Sequence, residues 1–125
     1  MFEIRNYHYE PTKFDKYQTW ATKEAVPYLR EHLDLVGFWM DNGEATEVMG
    51  SDPDPHKHGS ANITWIIRWD SMEARNHGHA TVFKSQGWKD IWANHPDANG
   101  YLQMEAKFAE EALSGLFTKE ALKQR

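Results

Sequence analysis

His8 and His79 are the side chains best suited to chemistry in this chain, because an imidazole titrating near neutrality can both take up and release a proton. His8 follows Asn6 at strand spacing within Phe2-Glu3-Ile4-Arg5-Asn6-Tyr7-His8-Tyr9. His79 follows Asn76 at helical spacing on a stripe that also holds Met72 and Phe83. If both stripes face one layer, the histidines offer a general base, and Asn6 and Asn76 offer donors to a developing oxyanion. Trp65 and Trp69, from the strand in between, and Tyr28, from the first helix, complete a candidate aromatic-lined substrate site. The same groups also describe a core network that satisfies itself without a ligand, and His79 alone could cap a helix carbonyl. Buried polar groups cost about 1–3 kcal/mol when left unpaired, so some partner is required in either case.

Other reactive constellations are weaker or missing. His56 and His58, in Asp52-Pro53-Asp54-Pro55-His56-Lys57-His58, carry ordinary zinc-ligand chemistry. Their Pro-rich setting lacks a rigid element, so a solvated loop is expected and no metal site is assigned. The chain has no Cys, hence no thiol nucleophile and no disulfide. No Gly-rich phosphate loop, nucleophile elbow or His-Glu-x-x-His pair occurs.

The elements that must position these residues follow from periodicity. Phe2 to Tyr9 alternates as a strand and stops before Pro11. Phe14, Tyr17, Ala21, Tyr28 and Leu29 recur at helical spacing over Lys13 to His32, with Pro27 expected to kink that helix. Leu33 to Met40 is apolar on both parities, as in a strand covered on both faces. Gly43 to Ser60 reads as a long loop, and Asn62 to Trp69 as a third strand rich in β-branched and aromatic residues. Ser71 is placed to cap a second helix, which should break near Gly87 and stop at Pro96. Tyr101 to Ala109 alternates as a fourth strand.

The resulting order, β-α-β-β-α-β, describes an α+β split-βαβ sheet with both helices on one face. Alternation sorts the strands into an apolar set containing Phe2, Ile4, Ile63, Trp65, Ile67, Trp69, Leu102, Met104, Ala106 and Phe108. That set is expected to meet the helices, with Asn6 and His8 continuing its parity. The opposite set contains Glu3, Arg5, Tyr7, Arg68, Glu105 and Lys107; its charges Glu3, Arg5, Arg68, Glu105 and Lys107 are read as structural ion pairs on a face that a second subunit covers.

Glu3-Ile4-Arg5-Asn6-Tyr7, Leu35-Val36-Gly37-Phe38-Trp39, and Trp69-Asp70-Ser71 followed by Arg75 and Trp88 together resemble the NIPSNAP family. The resemblance implies a ferredoxin-like subunit, spanning residues 1–113 with a C-terminal tail over 114–125, whose sheet joins that of a second subunit in a dimeric α/β barrel. The wider superfamily includes cofactor-free monooxygenases, isomerases, cyclases and haem proteins, so the resemblance leaves three readings. The first is a cofactor-free enzyme acting on a small organic metabolite, with His79 or His8 as base. The second is a non-catalytic binding or adaptor protein. The third is a haem protein with one of those histidines as axial ligand.

Composition excludes several classes. A net charge of -5 over 125 residues opposes binding to phosphate backbones. No apolar run approaches the ~20 residues that span a bilayer. The alternating start does not read as a secretory signal, and with no Cys a cytoplasmic location is expected.

Overall fold

The first strand is the centre of the molecule. In the computed structural model, which describes residues 1–114, β1 (Phe2–Tyr9) pairs antiparallel with β3 (Ile63–Arg68) on one side and β4 (Tyr101–Ala109) on the other. A further strand, β2 (Leu35–Met40), pairs with β3, giving the order β2-β3-β1-β4. Helices from both crossovers cover one face of the sheet. The expected tail lies almost wholly outside the described residues. Among the described residues no helix is long and apolar enough to cross a membrane.

The first crossover helix runs as α1 (Phe14–Trp20), a wide π-turn over Ala21–Ala25, and α2 (Val26–His32). Pro27 explains the wide turn. It has no N–H to give, and its ring would crowd the carbonyl four residues back. The chain accommodates it by letting the Val26 N–H reach the Ala21 carbonyl, five residues back.

The second crossover is two helices, α3 (Met72–Val82) and α4 (Gln86–Trp92). Ser71 caps the first by accepting the Ala74 N–H at 3.1 Å. The break falls at 83–85 instead of at Gly87, because Ser85 caps a new helix by accepting the Trp88 N–H at 3.2 Å. Gly87 sits inside α4 for a packing reason, since a Cβ there would stand 2.8 Å from the Tyr28 hydroxyl.

Register reverses the expected faces of β1. Glu3 lies opposite Ile67, Arg5 opposite Trp65 and Tyr7 opposite Ile63, so these six share the helix-covered face. Phe2, Ile4, Asn6 and His8 point to the other face with Thr64 and Ile66. The helix side therefore buries Tyr7, Tyr9, Ile63, Trp65 and Ile67 under Tyr17, Trp20, Ala21, Ala25 and Leu29, with Glu3 among them. Tyr7 and Tyr9 bring two large aromatic side chains to one parity, and this gain offsets the burial of the charges that share it.

His95 belongs to this aromatic layer. Its ring stacks on Trp92 at 4.3 Å, meets Trp20 edge-on at 4.4 Å, and its Nε2 pairs with the Tyr101 hydroxyl at 2.8 Å. Burial pushes its pKa down to about 4, against an opposing pull from Asp97. A neutral His95 favours the folded state fully above the unfolded value of about 6.5, and that stability is lost as pH falls toward about 4. Urea midpoints measured between those pH values should fall with acidity, and His95→Asn should flatten the dependence.

The segment between Met40 and Ile63 forms no helix or strand, as expected for Gly43 to Ser60. It returns to the uncovered face of the sheet, where His56 stacks on His8 at 4.2 Å and bonds Gln103 at 2.7 Å.

Candidate functional site

The fully buried carboxylate of Glu3 organises a polar cluster between β1 and α3. Its Oε1 accepts from Trp69 Nε1 at 3.0 Å, His79 Nε2 at 3.0 Å and Arg75 Nε at 3.3 Å. Its Oε2 accepts from Arg5 Nη1 at 2.6 Å and Arg75 Nη2 at 2.9 Å. Arg75 thus grips the carboxylate with two nitrogens, the geometry in which a guanidinium binds strongest. Burial alone would raise the Glu3 pKa, but His79, Arg75 and Trp69 outweigh it and hold the carboxyl well below the usual range. Arg5 also donates Nε to the Tyr7 hydroxyl at 2.6 Å, and burial keeps that phenol neutral by pushing its pKa up.

Local structure accounts for each placement. Strand alternation puts Glu3, Arg5 and Tyr7 on one face. One helical turn separates Arg75 from His79, so both descend from α3 toward Glu3. Trp69 follows the end of β3 and lies under α3 because Gly78 leaves room for it; a Cβ at Gly78 would stand 2.4 Å from the indole. His79 is flanked by Phe83 at 4.7 Å and Trp69 at 5.9 Å.

The residues expected to form one site divide between the two faces. His79 and Trp69 meet at Glu3, and Trp65 lies in the same layer, 5.5 Å from the Arg5 guanidinium. Asn76 is exposed and reaches the cluster only by accepting from Arg75 Nη1 at 3.2 Å. Asn6 and His8 are on the opposite face, where Asn6 accepts from Thr64 at 2.6 Å and His8 lies beneath His56. Tyr28 stands apart, its hydroxyl bonded to Ser85 at 2.8 Å and its ring 4.1 Å from His32. The expected convergence of four polar groups therefore fails, because it relied on the wrong parity for β1. The cleft that Trp69 lines, of about 420 Å³, opens on its other side beside His32, Asp34 and His77.

Glu3, Arg5, Tyr7 and Arg75 are the members that sequence reasoning set aside. A signal was available. Arg75 lies one turn before His79 and beside the stripe assigned to the sheet, and an acid facing that stripe can hold both.

The cluster can orient an imidazole and can present cationic groups. His8 is covered by His56, and the His79 ring is held by Glu3 between Trp69 and Phe83. Among the described residues no group of three or more His, Cys, Asp or Glu side chains is arranged to hold a metal ion.

No protein-family model and no curated protein matches this sequence. Solved structures do. A NIPSNAP family protein from Agrobacterium tumefaciens superposes with a TM-score of 0.67 at 14% identity, over 92% of this chain and 89% of that one. A second, of unknown function and from the same organism, gives 0.65 at 18% identity over 88% and 86%. A dimeric ferredoxin-like protein of unknown function from Thermobifida fusca gives 0.50 at 15% identity over 87% and 89%. The chain shares the ferredoxin-like α+β fold of these NIPSNAP proteins. At such identities the likeness concerns the fold, and function has to be argued from the site.

Proposed function

We propose that this chain is a homodimeric small-molecule-binding protein that performs cofactor-free acid/base chemistry with His79 as general base. The observation that carries the reading is the 3.0 Å contact between His79 Nε2 and the buried Glu3 carboxylate. A carboxylate only accepts, so the neutral ring carries its proton on Nε2 and leaves the Nδ1 lone pair to receive one. Glu3 is itself immobilised by Arg5, Trp69 and Arg75, so the ring orientation is fixed in advance. In such a step a substrate C–H or O–H bond breaks, its electron pair stays on the substrate, and the proton moves to Nδ1. Isomerisation, lyase or cyclase chemistry and cofactor-free oxygenation can each begin this way.

Screening small organic acids, ketones and phenols by thermal shift and mass-spectrometric turnover tests the reading. For a compound that is turned over, His79→Ala should lower the rate about 10²–10⁴-fold while leaving fold and dimer intact. A clearly reduced melting temperature with unchanged turnover would instead make His79 structural and favour a binding or adaptor role.

The dimer reading is supported by the uncovered sheet face. It carries Phe2, Ile4 and Ile66 beside an exposed Trp39, and apolar surface of this kind marks an interaction site. The Thermobifida neighbour is described as dimeric, and two-fold dimers are the commonest closed assembly. Sedimentation at micromolar concentration should give twice the 14.6 kDa chain mass. A species of one chain mass would overturn it.

A further inference from the structure

The side of the Glu3 cluster that faces solvent is formed by Arg5, Arg75 and His79. Glu3 has no exposed side-chain surface, while Arg5, Arg75 and His79 remain 17%, 22% and 24% exposed. A molecule arriving from solvent meets two guanidiniums and an imidazole, with the carboxylate hidden behind them. Two guanidiniums against one carboxylate leave a surplus positive charge even when His79 is neutral. In a partly buried setting such a surplus is unfavourable until an anion offsets it.

Donor capacity is also left over. Arg5 commits Nε to Tyr7 and Nη1 to Glu3, and its Nη2 makes no hydrogen bond among the described residues. Arg75 spends Nη1 on the exposed Asn76 side chain, which can give way to a ligand.

Beside these donors β4 supplies an apolar margin. Met104 lies opposite Tyr7, Ala106 opposite Arg5 and Phe108 opposite Glu3, all on the helix side of the sheet. Met104 and Phe108 are 48% and 42% exposed, and the Arg75 guanidinium lies 5.3 Å from the Phe108 ring centre.

We propose that the molecule bound beside His79 is a small organic monoanion with an apolar body. Its carboxylate, enolate or phenolate oxygen is taken by Arg5 and Arg75, and its hydrocarbon part lies on Met104, Ala106 and Phe108. This deepens the reading of His79 as a base, because proton removal from such a substrate creates further negative charge beside two fixed cations. Binding itself does not require that His79 be catalytic, so the two ideas can fail separately.

The test uses the full chain, isotopically labelled, titrated by NMR with benzoate, acetate, benzamide and benzylamine. Benzoate should shift the Arg5 and Arg75 Nε–H and His79 ring resonances saturably. Benzamide, of the same shape without charge, should bind at least about tenfold more weakly. Benzylammonium should leave those resonances unmoved, and acetate should bind more weakly than benzoate for want of an apolar body. Arg5→Gln should weaken benzoate at least about tenfold, and Phe108→Ser should weaken benzoate more than acetate. The ligand comparison stands on the unsubstituted protein, so it holds even if Arg5→Gln does not fold. Benzamide binding as tightly as benzoate, or benzoate shifting resonances elsewhere only, would overturn the proposal. Benzoate binding as described, with turnover of an anionic substrate unchanged in His79→Ala, supports the anion site and defeats the base. Turnover of a neutral compound that depends on His79, with benzoate not binding, supports the base and defeats the anion site.

Discussion

Glu3→Ala should destabilise the protein by about 3–5 kcal/mol, the range observed when one partner of a buried ion pair is removed. The carboxylate is the common acceptor for Arg5, Trp69, Arg75 and His79, and its loss leaves two guanidiniums and an indole N–H facing each other without an acceptor. Glu3→Gln, which keeps the shape and one acceptor oxygen, should be less damaging. Urea unfolding of the three proteins, compared at a common pH, measures the order. A midpoint for Glu3→Ala within error of the unsubstituted protein would show that the cluster contributes no stability. Because the folded carboxyl titrates well below its ordinary range, its contribution is fully present above the unfolded pKa of about 4.5 and disappears as pH falls through the folded value. The Glu3→Gln protein should therefore lose less stability than its parent below pH ~4.

Gly78→Ala is the second large effect, and its sign is opposite to the usual one. Alanine in a helix interior is ordinarily favoured over glycine by about 0.8–1.0 kcal/mol. Here the added Cβ would stand 2.4 Å from two ring atoms of Trp69. The indole must move, and its N–H to Glu3 is then stretched or broken. Overpacking of this kind costs about 1–3 kcal/mol, enough to exceed the gain in helix propensity. A double-mutant cycle isolates the cause: Gly78→Ala should destabilise the parent and be neutral or stabilising in a Trp69→Leu background. Equal effects in both backgrounds would contradict the contact.

The order of elements was legible in the sequence because each carried its own local signal. Alternation bounded β1 and β4 at the residues observed, and Ser71 marked the start of α3. The face of β1 was not legible from polarity alone, since Phe2 and Ile4 look more buried than Glu3 and Arg5. Burial followed the larger total of Tyr7 and Tyr9 on the charged parity, made possible by partners about seventy residues away. Local pattern says which residues share a face; which face is covered depends on distant groups. The break at Ser85 was hidden for a related reason. Gly87 looked like the weak point of the helix, yet its missing side chain serves contact with Tyr28. Of the residues expected to form one site, His79, Trp65 and Trp69 share the helix-covered layer, whereas Asn6 and His8 lie on the other face.

The central place of β1 also bears on how the chain folds as it is made. Synthesis runs from the N-terminus, and both partners of β1 come much later, β3 at Ile63–Arg68 and β4 at Tyr101–Ala109. Until β3 has emerged, β1 is an extended segment with both edges free, the kind of segment that pairs wrongly with other chains. Its alternation of Phe2 and Ile4 with Glu3 and Arg5 interrupts any continuous apolar run, as gatekeeper charges do. The charges that later close the buried cluster are therefore the same ones that break the apolar run of the unpaired strand.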